Sequence, residues 1–347
     1  MSSMRSSLVF GAILAVAAPG IAQQTIQGLP QPSPRAGVTQ TVGISTIAID
    51  YHRPAINDRE VWGGLVPYDQ VWRAGANDNT TIRLSDDARV EGQPLAAGTY
   101  GVHMIPGRDK WTIAFSNVST AWGSFTYDPA EDALRVEVEP QPSEFDERLR
   151  YSVDEVDNAR ATVALHWEKV RVPFTVEFAT NDLIVAKIER DLRHLPQFSW
   201  QGWNSAAGWT LQNGHALDKG LEWAERSITM NENGQNLTTK MAILTRLDRA
   251  DEAKPVEARI LEIGNEAQIN ALGYTHLFQL QNPQRAVEVF RKNTVDHPES
   301  WNVWDSLGEG LAATGDKAGA IEYYSKALAM APENQKARIE GVLNGLK

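Results

Sequence analysis

The sequence predicts an antiparallel β-sandwich or barrel followed by an α-helical solenoid of repeats. From about residue 39 to residue 178 the apolar side chains alternate with a period of two, which is typical of strands with one buried face. After residue 181 they recur every three to four positions, which favours helices. Near the C terminus the pattern also repeats after 34 residues, as it does in stacked helical hairpins. We therefore place the domain boundary near Thr180.

The first 38 residues are predicted to lie outside both domains. Arg5 precedes an apolar run from Leu8 to Ala18, and small residues follow it. This pattern predicts a signal peptide over residues 1–22 and export to the bacterial periplasm or beyond. The run is too short to span a bilayer, so we expect no membrane insertion after cleavage. Residues 23–38 are predicted to form a Pro-rich linker.

The composition excludes several classes of chemistry. The chain has no cysteine, which rules out disulfides, cysteine-ligated zinc and thiol nucleophiles. Its net charge of −11 disfavours nucleic acid as a partner. The seven histidines form neither a His-x-His pair nor a His-Glu-x-x-His helix, so we expect no metal. Residues 308–313 match the letters of a dinucleotide motif but lie within a predicted helix, so we expect no cofactor.

Residues 39–180 are predicted to contain many short strands. The last two are Arg160–Glu168 and Val170–Phe178, and Pro173 marks the second as an edge strand or a bulged one because proline has no N–H. Turn signals such as Gln93-Pro94 separate several runs. Short strands without helices between them favour an antiparallel sandwich or barrel. The other predicted strands are Val42–Tyr51, Thr80–Leu84, Thr99–Ile105, Trp111–Ser116, Leu134–Glu139 and Leu149–Val153.

Residues 181–347 are predicted to be helical, with Asp182 as the N-cap of the first helix. The spacing in residues 301–334 closely resembles a tetratricopeptide repeat, in which small residues let two helices approach and large ones fill the seam. The preceding copy is offset by one residue in its first helix, which predicts a longer turn between its helices. Weaker copies lie within residues 221–253. The residues that carry the resemblance are Trp304, Leu307, Gly308, Leu311, Gly315, Ala320, Tyr324, Ala327 and Pro332.

Helical repeats stack into a solenoid whose concave face commonly receives an extended peptide or a protein partner. We therefore expect a protein or peptide partner on this domain. Solvated helix faces have the same polar composition, so the assignment of individual residues rests on their position alone. The predicted partner-binding residues are Asn270, Tyr274, Asn302, Asp305 and Glu309.

A dense set of polar and aromatic residues runs from Tyr51 to Asn77 and includes Trp72-Arg73-Ala74-Gly75-Ala76-Asn77. Together with Ala97-Gly98-Thr99-Tyr100 and Trp111-Thr112-Ile113, it resembles the bacterial DUF2911 family over about residues 39–178. Residues 198–204 are similar to a helical extension that some members carry. The resemblance implies a compact, mainly β domain in exported proteins, without an established activity. We assign a DUF2911-like β-sandwich domain to residues 39–180 and a tetratricopeptide-like domain to residues 181–347.

The same polar and aromatic residues are candidates for a ligand site. Guanidinium groups bind carboxylates or phosphates, and aromatic faces stack on sugars or planar molecules. In the alternative, structural interpretation, Arg73 and Asn77 tie down the backbone of a long glycine-rich connection while the tryptophans close one end of the core. The candidate ligand-binding residues are Tyr51, Arg53, Tyr68, Trp72, Arg73, Asn77 and His103.

These patterns favour an exported binding or scaffolding protein, with a partner on the repeats and a small molecule or glycan on the β domain. One alternative is an envelope hydrolase with its site around Arg53, Arg73, Asn77 and His103. A second alternative is a carbohydrate-binding module without catalysis. Binding is favoured over catalysis, and no catalytic residue is assigned, because no nucleophile motif is present in the sequence.

Overall fold

The computed structural model describes residues 30–346. The predicted signal peptide and the first part of the predicted linker lie outside the described residues. The chain divides into two compact units between Phe178 and Ala179. The described part of the first unit forms antiparallel β sheets, and the second consists of helices, which confirms the predicted fold class.

The β unit consists of two antiparallel sheets. The six-stranded sheet has the order β1-β2-β3-β6-β7-β8, and the four-stranded sheet has the order β5-β4-β10-β9. The strands are β1 Arg35–Val42, β2 Ser45–His52, β3 Thr80–Leu84, β4 Ala88–Val90, β5 Gln93–Leu95, β6 Gly98–Pro106, β7 Trp111–Ser116, β8 Asp132–Val138, β9 Gln141–Asp154 and β10 Arg160–Phe178.

The two sheets pack face to face through aromatic pairs. Phe115 on β7 meets Phe174 on β10 with ring centroids 5.7 Å apart. Tyr51 on β2 meets Tyr151 on β9 at 4.8 Å, and both pairs are edge-to-face. Because each aromatic ring buries a large apolar area and this geometry is favourable, the pairs join the two sheets in one core.

The first strand begins earlier than the predicted start of the domain. β1 pairs with β2 residue by residue from Arg35–His52 to Val42–Ser45. A two-residue turn at Gly43-Ile44 joins them, and Gly43 adopts a φ of +59° there. The predicted run Val42–Tyr51 had merged the end of one strand with the next.

The prediction of a turn at Gln93-Pro94 was wrong. Both residues belong to β5, an edge strand that pairs with β4. The turn is formed by the two preceding residues, Glu91 and Gly92, which have φ values of +48° and +75°. Proline is tolerated on an edge strand because its missing N–H faces away from the ladder.

The two predicted strands at residues 160–178 form one bulged strand, β10, of 19 residues. The ladder with β9 shifts register around Glu168, whose φ is +56°. Pro173 lies between the end of the pairing with β9 at Arg171 and the start of the pairing with β4 at Val176. The proline therefore removes no ladder hydrogen bond, and the predicted bulge is present at Glu168 instead.

The helical unit begins with α1 and continues as four helical hairpins and a last helix, α10. Each hairpin pairs consecutive helices from α2–α3 to α8–α9. The last turn of α6 widens into a π-helical segment at Thr275–Gln279. The helices are α1 Thr180–Asp191, α2 Trp200–Asn213, α3 Leu217–Met230, α4 Gly234–Arg246, α5 Ala250–Ile263, α6 Glu266–Tyr274, α7 Pro283–Asp296, α8 Trp301–Thr314, α9 Lys317–Met330 and α10 Glu333–Leu346.

The repeat packing follows the predicted pattern. A Cβ added to Gly273 would overlap the Phe290 ring, and one added to Gly308 would approach Tyr324 to 3.0 Å. These glycines therefore allow the close approach of the two helices in the hairpins α6–α7 and α8–α9. Counted from the end of the π-helical segment at Gln279, three residues lead to α7, whereas two residues join α8 to α9. This difference agrees with the prediction from the one-residue offset.

The first hairpin is a copy of the fourth, and only its second helix, α3, had been predicted as part of a weaker copy. Trp203 and Trp304 occupy the same place in α2 and α8, and the indole N–H of each donates to a backbone carbonyl six residues earlier at 2.9 Å. Ser199-Trp200 and Ser300-Trp301 precede them in the same register. The segment at residues 198–204 is thus the start of the repeat array.

Asp182 is not the N-cap of α1, contrary to the prediction. Ala179 precedes the helix without a side-chain cap, and Asp182 lies in the first turn. Its carboxylate lies 2.7 Å from His215 Nε2, so the Asp182 side chain contacts the loop before α3 and does not cap its own helix.

Within residues 30–346 no helix has the length and apolar character needed to cross a bilayer.

Candidate functional site

The connection between β2 and β3, residues 53–79, carries most of the predicted ligand-binding residues. Ala74 and Asn77 have φ values of +50° and +57°, a backbone region that non-glycine residues rarely adopt. The Ala74 carbonyl accepts hydrogen bonds from Thr80 Oγ1 and Tyr151 OH, both at 3.0 Å. The core thus holds a strained loop in place, as often occurs where side chains must be positioned.

A cavity of about 330 Å³ lies beside this loop. Arg73 is its cationic wall: its guanidinium carbon lies 5.3 Å from the Trp122 ring centroid and 5.5 Å from that of Phe125. One guanidinium N–H donates to the carbonyl of Asn77 at 3.0 Å. Burial lowers the pKa of Arg73, but an arginine stays charged near neutral pH. The other residues that line the cavity include Trp72, Asn77, Arg59, Ser33 and Trp167.

The predicted ligand-binding residues do not all converge on this cavity. Trp72, Arg73 and Asn77 line it. Arg53 donates to the Leu149 carbonyl at 2.8 Å, and the Tyr51 hydroxyl accepts from the Tyr151 N–H at 3.1 Å. These two therefore act as ties between strands in this structure, in line with the structural interpretation.

Tyr68 and His103 also lie outside the residues that line the cavity. The Arg108 guanidinium stacks over the Tyr68 ring at 5.0 Å. Asn77 lines the cavity but also donates to Gln31 Oε1 at 2.6 Å, which fastens the N-terminal segment to the loop. Two arginines therefore line the cavity: Arg59 donates to the carbonyls of Ile56 and Ala55, whereas Arg73 lies against the aromatic rings.

His103 forms a separate polar cluster on β6 that the sequence did not reveal. Its Nδ1 lies 2.8 Å from Ser124 Oγ, and its Nε2 lies 3.4 Å from the Asn79 carboxamide. The Tyr127 ring packs on the imidazole at 4.6 Å between centroids. Burial lowers the pKa of His103, and the nearby Asp132 carboxylate opposes that shift.

Ser124 and Asn79 were missed because they lie 21 and 24 residues from His103 in the sequence. Strand pairing brings β3 beside β6, and the isolated bridge between Asp78 and Trp122 brings the Ser124 loop to both. The sequence shows the two aromatic residues on either side of Gly123-Ser124, but their exposure, which makes such a pair a candidate for a functional role, is seen only in the structure.

In the helical unit, a groove of about 470 Å³ runs across the first helices of three successive hairpins, α2, α4 and α6. Asn204 and Trp209 lie on α2, Gln235 and Thr238 on α4, and Thr275 on the π-helical turn after α6. None of the side chains that line it carries a charge. The groove is therefore neutral and rich in amide and hydroxyl groups in a protein that is strongly acidic overall.

None of the five predicted partner-binding residues lines this groove. Three of them are engaged near the end of the array: Tyr274 OH donates to Glu309 Oε2 at 2.9 Å, and Asp305 forms a 2.8 Å ion pair with Arg338 on α10. Asn270 and Asn302 are half-buried on α6 and α8. The last helix thus contacts Asp305, one of the predicted partner-binding residues.

Within the described part of the chain, no three His, Asp or Glu side chains are arranged to hold a metal ion together.

The segment that resembles a dinucleotide-binding motif contains Gly308 and Gly310, which lie in α8 and face Tyr324 and Phe290. They serve helix packing, since a phosphate-binding motif needs a strand before it and a helix start after it.

Three solved structures of other proteins are similar to part of this chain. MamA from Desulfovibrio magneticus RS-1 is 14% identical over 42% of this chain and 82% of its own, with a TM-score of 0.30. TTC0263, a thermophilic TPR protein in Thermus thermophilus, is 15% identical over 48% and 90%, with a TM-score of 0.32. YrrB, a TPR protein with an unusual peptide-binding site, is 17% identical over 47% and 84%, with a TM-score of 0.29.

Two protein families match the sequence, and no curated protein does. Residues 33–176 match the family described as "Protein of unknown function (DUF2911)". Residues 301–334, which span α8, α9 and the start of α10, match the tetratricopeptide repeat. The chain thus combines a domain of the DUF2911 family with a helical domain that contains a tetratricopeptide repeat.

Proposed function

We propose that this chain is an exported binding or scaffolding protein whose helical domain binds an extended segment of a protein partner. The observation that supports it most is the neutral groove across α2, α4 and α6. Stacked helical hairpins present such a surface to extended chains, because each repeat adds one helix to the same concave face.

The lining of the groove indicates what the segment contains. Exposed glutamines, one from each of α2, α4 and the turn after α6, lie along it: Gln212, Gln235 and Gln279. A carboxamide can donate to a peptide carbonyl and accept from a peptide N–H at the same time. The groove therefore suits the backbone of an extended, uncharged segment, with Trp209 available for one apolar side chain.

The hydroxyl groups of the groove favour the same kind of segment. Thr239, which is half-buried in the lining, donates its hydroxyl proton to the Gln235 carbonyl of its own helix. Its oxygen is left to accept a hydrogen bond, so it complements a peptide N–H group. An acidic or basic segment would lose its hydration without gaining an opposite charge from the lining.

For the β domain we propose a small anionic ligand with a flat apolar part in the cavity at Arg73. The guanidinium supplies hydrogen-bond donors in one plane, and Trp72, Trp122 and Trp167 line the same space. Titration calorimetry with aromatic carboxylates should show binding that Arg73→Gln abolishes.

A glycine in the groove offers a clean test of the helical site. Gly208 lines the groove on α2, and a Cβ added there meets nothing within 4 Å. Gly341 on α10 is equally open and lies outside the groove lining. Peptides selected by phage display on the full-length protein should bind wild type and Gly341→Leu alike and should lose at least about tenfold in affinity, roughly 1.4 kcal/mol, on Gly208→Leu.

The proposal fails if no peptide is enriched, or if Gly208→Leu binds the enriched peptides as tightly as Gly341→Leu does. Both variants should keep the unfolding temperature of the wild type or raise it, because replacing a helical glycine removes an entropic penalty.

Export is tested separately by N-terminal sequencing of the mature protein, which should begin near Gln23.

A further inference from the structure

We infer that Ser124 and His103 form the nucleophile and general base of an ester-hydrolysing site in the β domain, with Asn79 positioning the imidazole. The inference goes beyond partner binding and is independent of the groove in the helical domain. It starts from three side chains on separate segments that meet in one chain of contacts, from Ser124 Oγ through the His103 ring to the Asn79 carboxamide.

The hydrogen bonds around Asn79 fix the tautomer of the histidine. The Asn79 Nδ2 group donates to the carbonyl oxygens of Ala121 and Gly123. The carboxamide oxygen then faces His103 Nε2 at 3.4 Å and accepts its proton. His103 Nδ1 is consequently left as an acceptor, and the Ser124 hydroxyl donates to it at 2.8 Å. This is the arrangement a base needs to take a proton from a nucleophile.

The protonation state agrees with that geometry. Burial lowers the pKa of His103, so the ring is neutral at pH 7 and can accept a proton. Asp132 is the nearby carboxylate, and its Oδ2 accepts a hydrogen bond from Tyr127 OH at 2.6 Å. Because the Tyr127 ring packs on the imidazole, an imidazolium formed during the reaction would lie against this aromatic ring, while Asp132 is paired with Arg135 at 2.5 Å.

The loop around Ser124 also supplies donors for a developing negative charge. Gly123 has a φ of +73°, so the chain reverses just before the serine. Among the described residues, the backbone N–H groups of Ser124 and Phe125 donate no hydrogen bond. Two free N–H groups beside a nucleophile can stabilise the oxyanion of a tetrahedral intermediate.

The surroundings of the loop indicate the substrate class. The side chains of Trp122 and Phe125 are 62% and 75% exposed and stack on each other at 5.7 Å. The Arg73 guanidinium lies against Gly123, where a Cβ would come within 3.0 Å of its central carbon. The site therefore suits a small carboxylic ester that carries a second, anionic group for Arg73 and a flat or apolar part for the two rings.

The reaction proceeds in two balanced steps. Ser124 Oγ attacks the ester carbonyl carbon and its proton passes to His103 Nδ1; the C–O bond then breaks, and the alcohol leaves with that proton. Water next attacks the acyl-serine, again giving a proton to His103. The acid is released, and the proton returns to Ser124 Oγ, so that the site is regenerated with one water consumed.

A fluorophosphonate probe and chromogenic esters test the inference on the full chain. The wild type should be labelled on Ser124 and should hydrolyse mono-p-nitrophenyl succinate. Ser124→Ala should lose the label and at least about 100-fold in kcat, whereas Thr120→Ala, which removes an exposed hydroxyl group nearby in the chain, should behave as wild type. Arg73→Gln should raise KM for the succinate ester more than for p-nitrophenyl acetate. Failure to label Ser124, or equal hydrolysis by Ser124→Ala, would overturn the inference.

The absence of cysteine allows a second measurement that does not depend on the choice of ester. Ser124→Cys and Thr120→Cys each create a single thiol, and only the first replaces a side chain in contact with His103. The alkylation rate of Ser124→Cys by iodoacetamide should show its pH inflection at least about one unit below that of Thr120→Cys, because a neighbouring imidazolium stabilises the thiolate. Identical profiles would show that His103 does not act on the group at position 124.

Discussion

Arg73 illustrates how one side chain serves both the fold and the proposed sites. Its guanidinium lies against both the Trp122 and the Phe125 rings and donates to the Asn77 carbonyl. The residue after it, Ala74, adopts a positive φ that the hydrogen bonds to its carbonyl stabilise. The structural and the ligand-binding interpretations of this segment are therefore compatible, since the same loop that closes the core presents the cation.

Arg73→Lys should lower the free energy of unfolding by about 1–2 kcal/mol, because a lysine cannot keep the planar contact with both rings. Urea denaturation followed by tryptophan fluorescence measures the change. Arg83→Lys on the exposed side of β3 is the control and should stay within about 0.5 kcal/mol of wild type. Equal stability of the two variants would show that the stacking of Arg73 contributes nothing to the fold.

The sequence could identify some residues of the candidate sites but not others. Arg73 and Asn77 stand in a segment whose composition is unusual in itself, and both line the cavity. Tyr51 and Arg53 belong to the same segment but serve as ties between strands. Ser124 was not identified because its partners come from β3 and β6, and the pairing of strands cannot be read from one segment alone.

At the scale of elements, most strands and the helical repeats could be predicted because their side-chain periods are strong. The hairpin of β4 and β5 was missed, since Pro94 in a strand of three residues has the composition of a turn. The polar first half of β9 was missed as well, because residues 141–148 are mostly exposed and show no alternation with a buried face. Exposed edges leave little trace in a hydrophobic pattern.

The packing of β6 against the Ser124 loop makes a prediction of its own. A Cβ on Gly101 would overlap the carbonyl oxygen of Val118 and approach the Asn79 carboxamide to 2.9 Å. Gly101→Ala should therefore destabilise the β domain by about 1–3 kcal/mol through overpacking. It should also weaken fluorophosphonate labelling of Ser124. Thr99→Ala, an exposed change on the same strand, is the control, and a Gly101→Ala protein as stable as this control would contradict the close approach.

At the scale of the whole molecule, the division into two units follows from the change of period near residue 180. The charge of the chain does not extend into the groove, which is neutral although the protein carries a net charge of −11. The sequence predicted partner-binding residues on α6 and α8, because it could not show that Asp305 on α8 pairs with Arg338 on α10.

The β unit should lose stability in mild acid. Burial lowers the pKa of His103 and of His166, the latter also through Arg150 and Arg171 and against Asp146 and Asp154. The unfolded chain therefore binds more protons below about pH 6.5, and the free energy of unfolding falls as the pH drops through that value towards the folded-state pKa values. The loss is at most about 1.4 kcal/mol per pH unit for each histidine. Urea titrations from pH 8 to pH 5 measure it, and His166→Gln should reduce the slope; a slope unchanged by that substitution would contradict the assignment.

The most direct test of the account is the affinity of a groove-selected peptide for residues 179–347 alone, measured by calorimetry beside the full chain. Every residue that lines the groove belongs to the helical unit. We expect a folded helical fragment that binds the peptide within about twofold of the full chain, a difference of about 0.4 kcal/mol. A folded fragment that no longer binds it would contradict the claim that the groove across α2, α4 and α6 is the partner site.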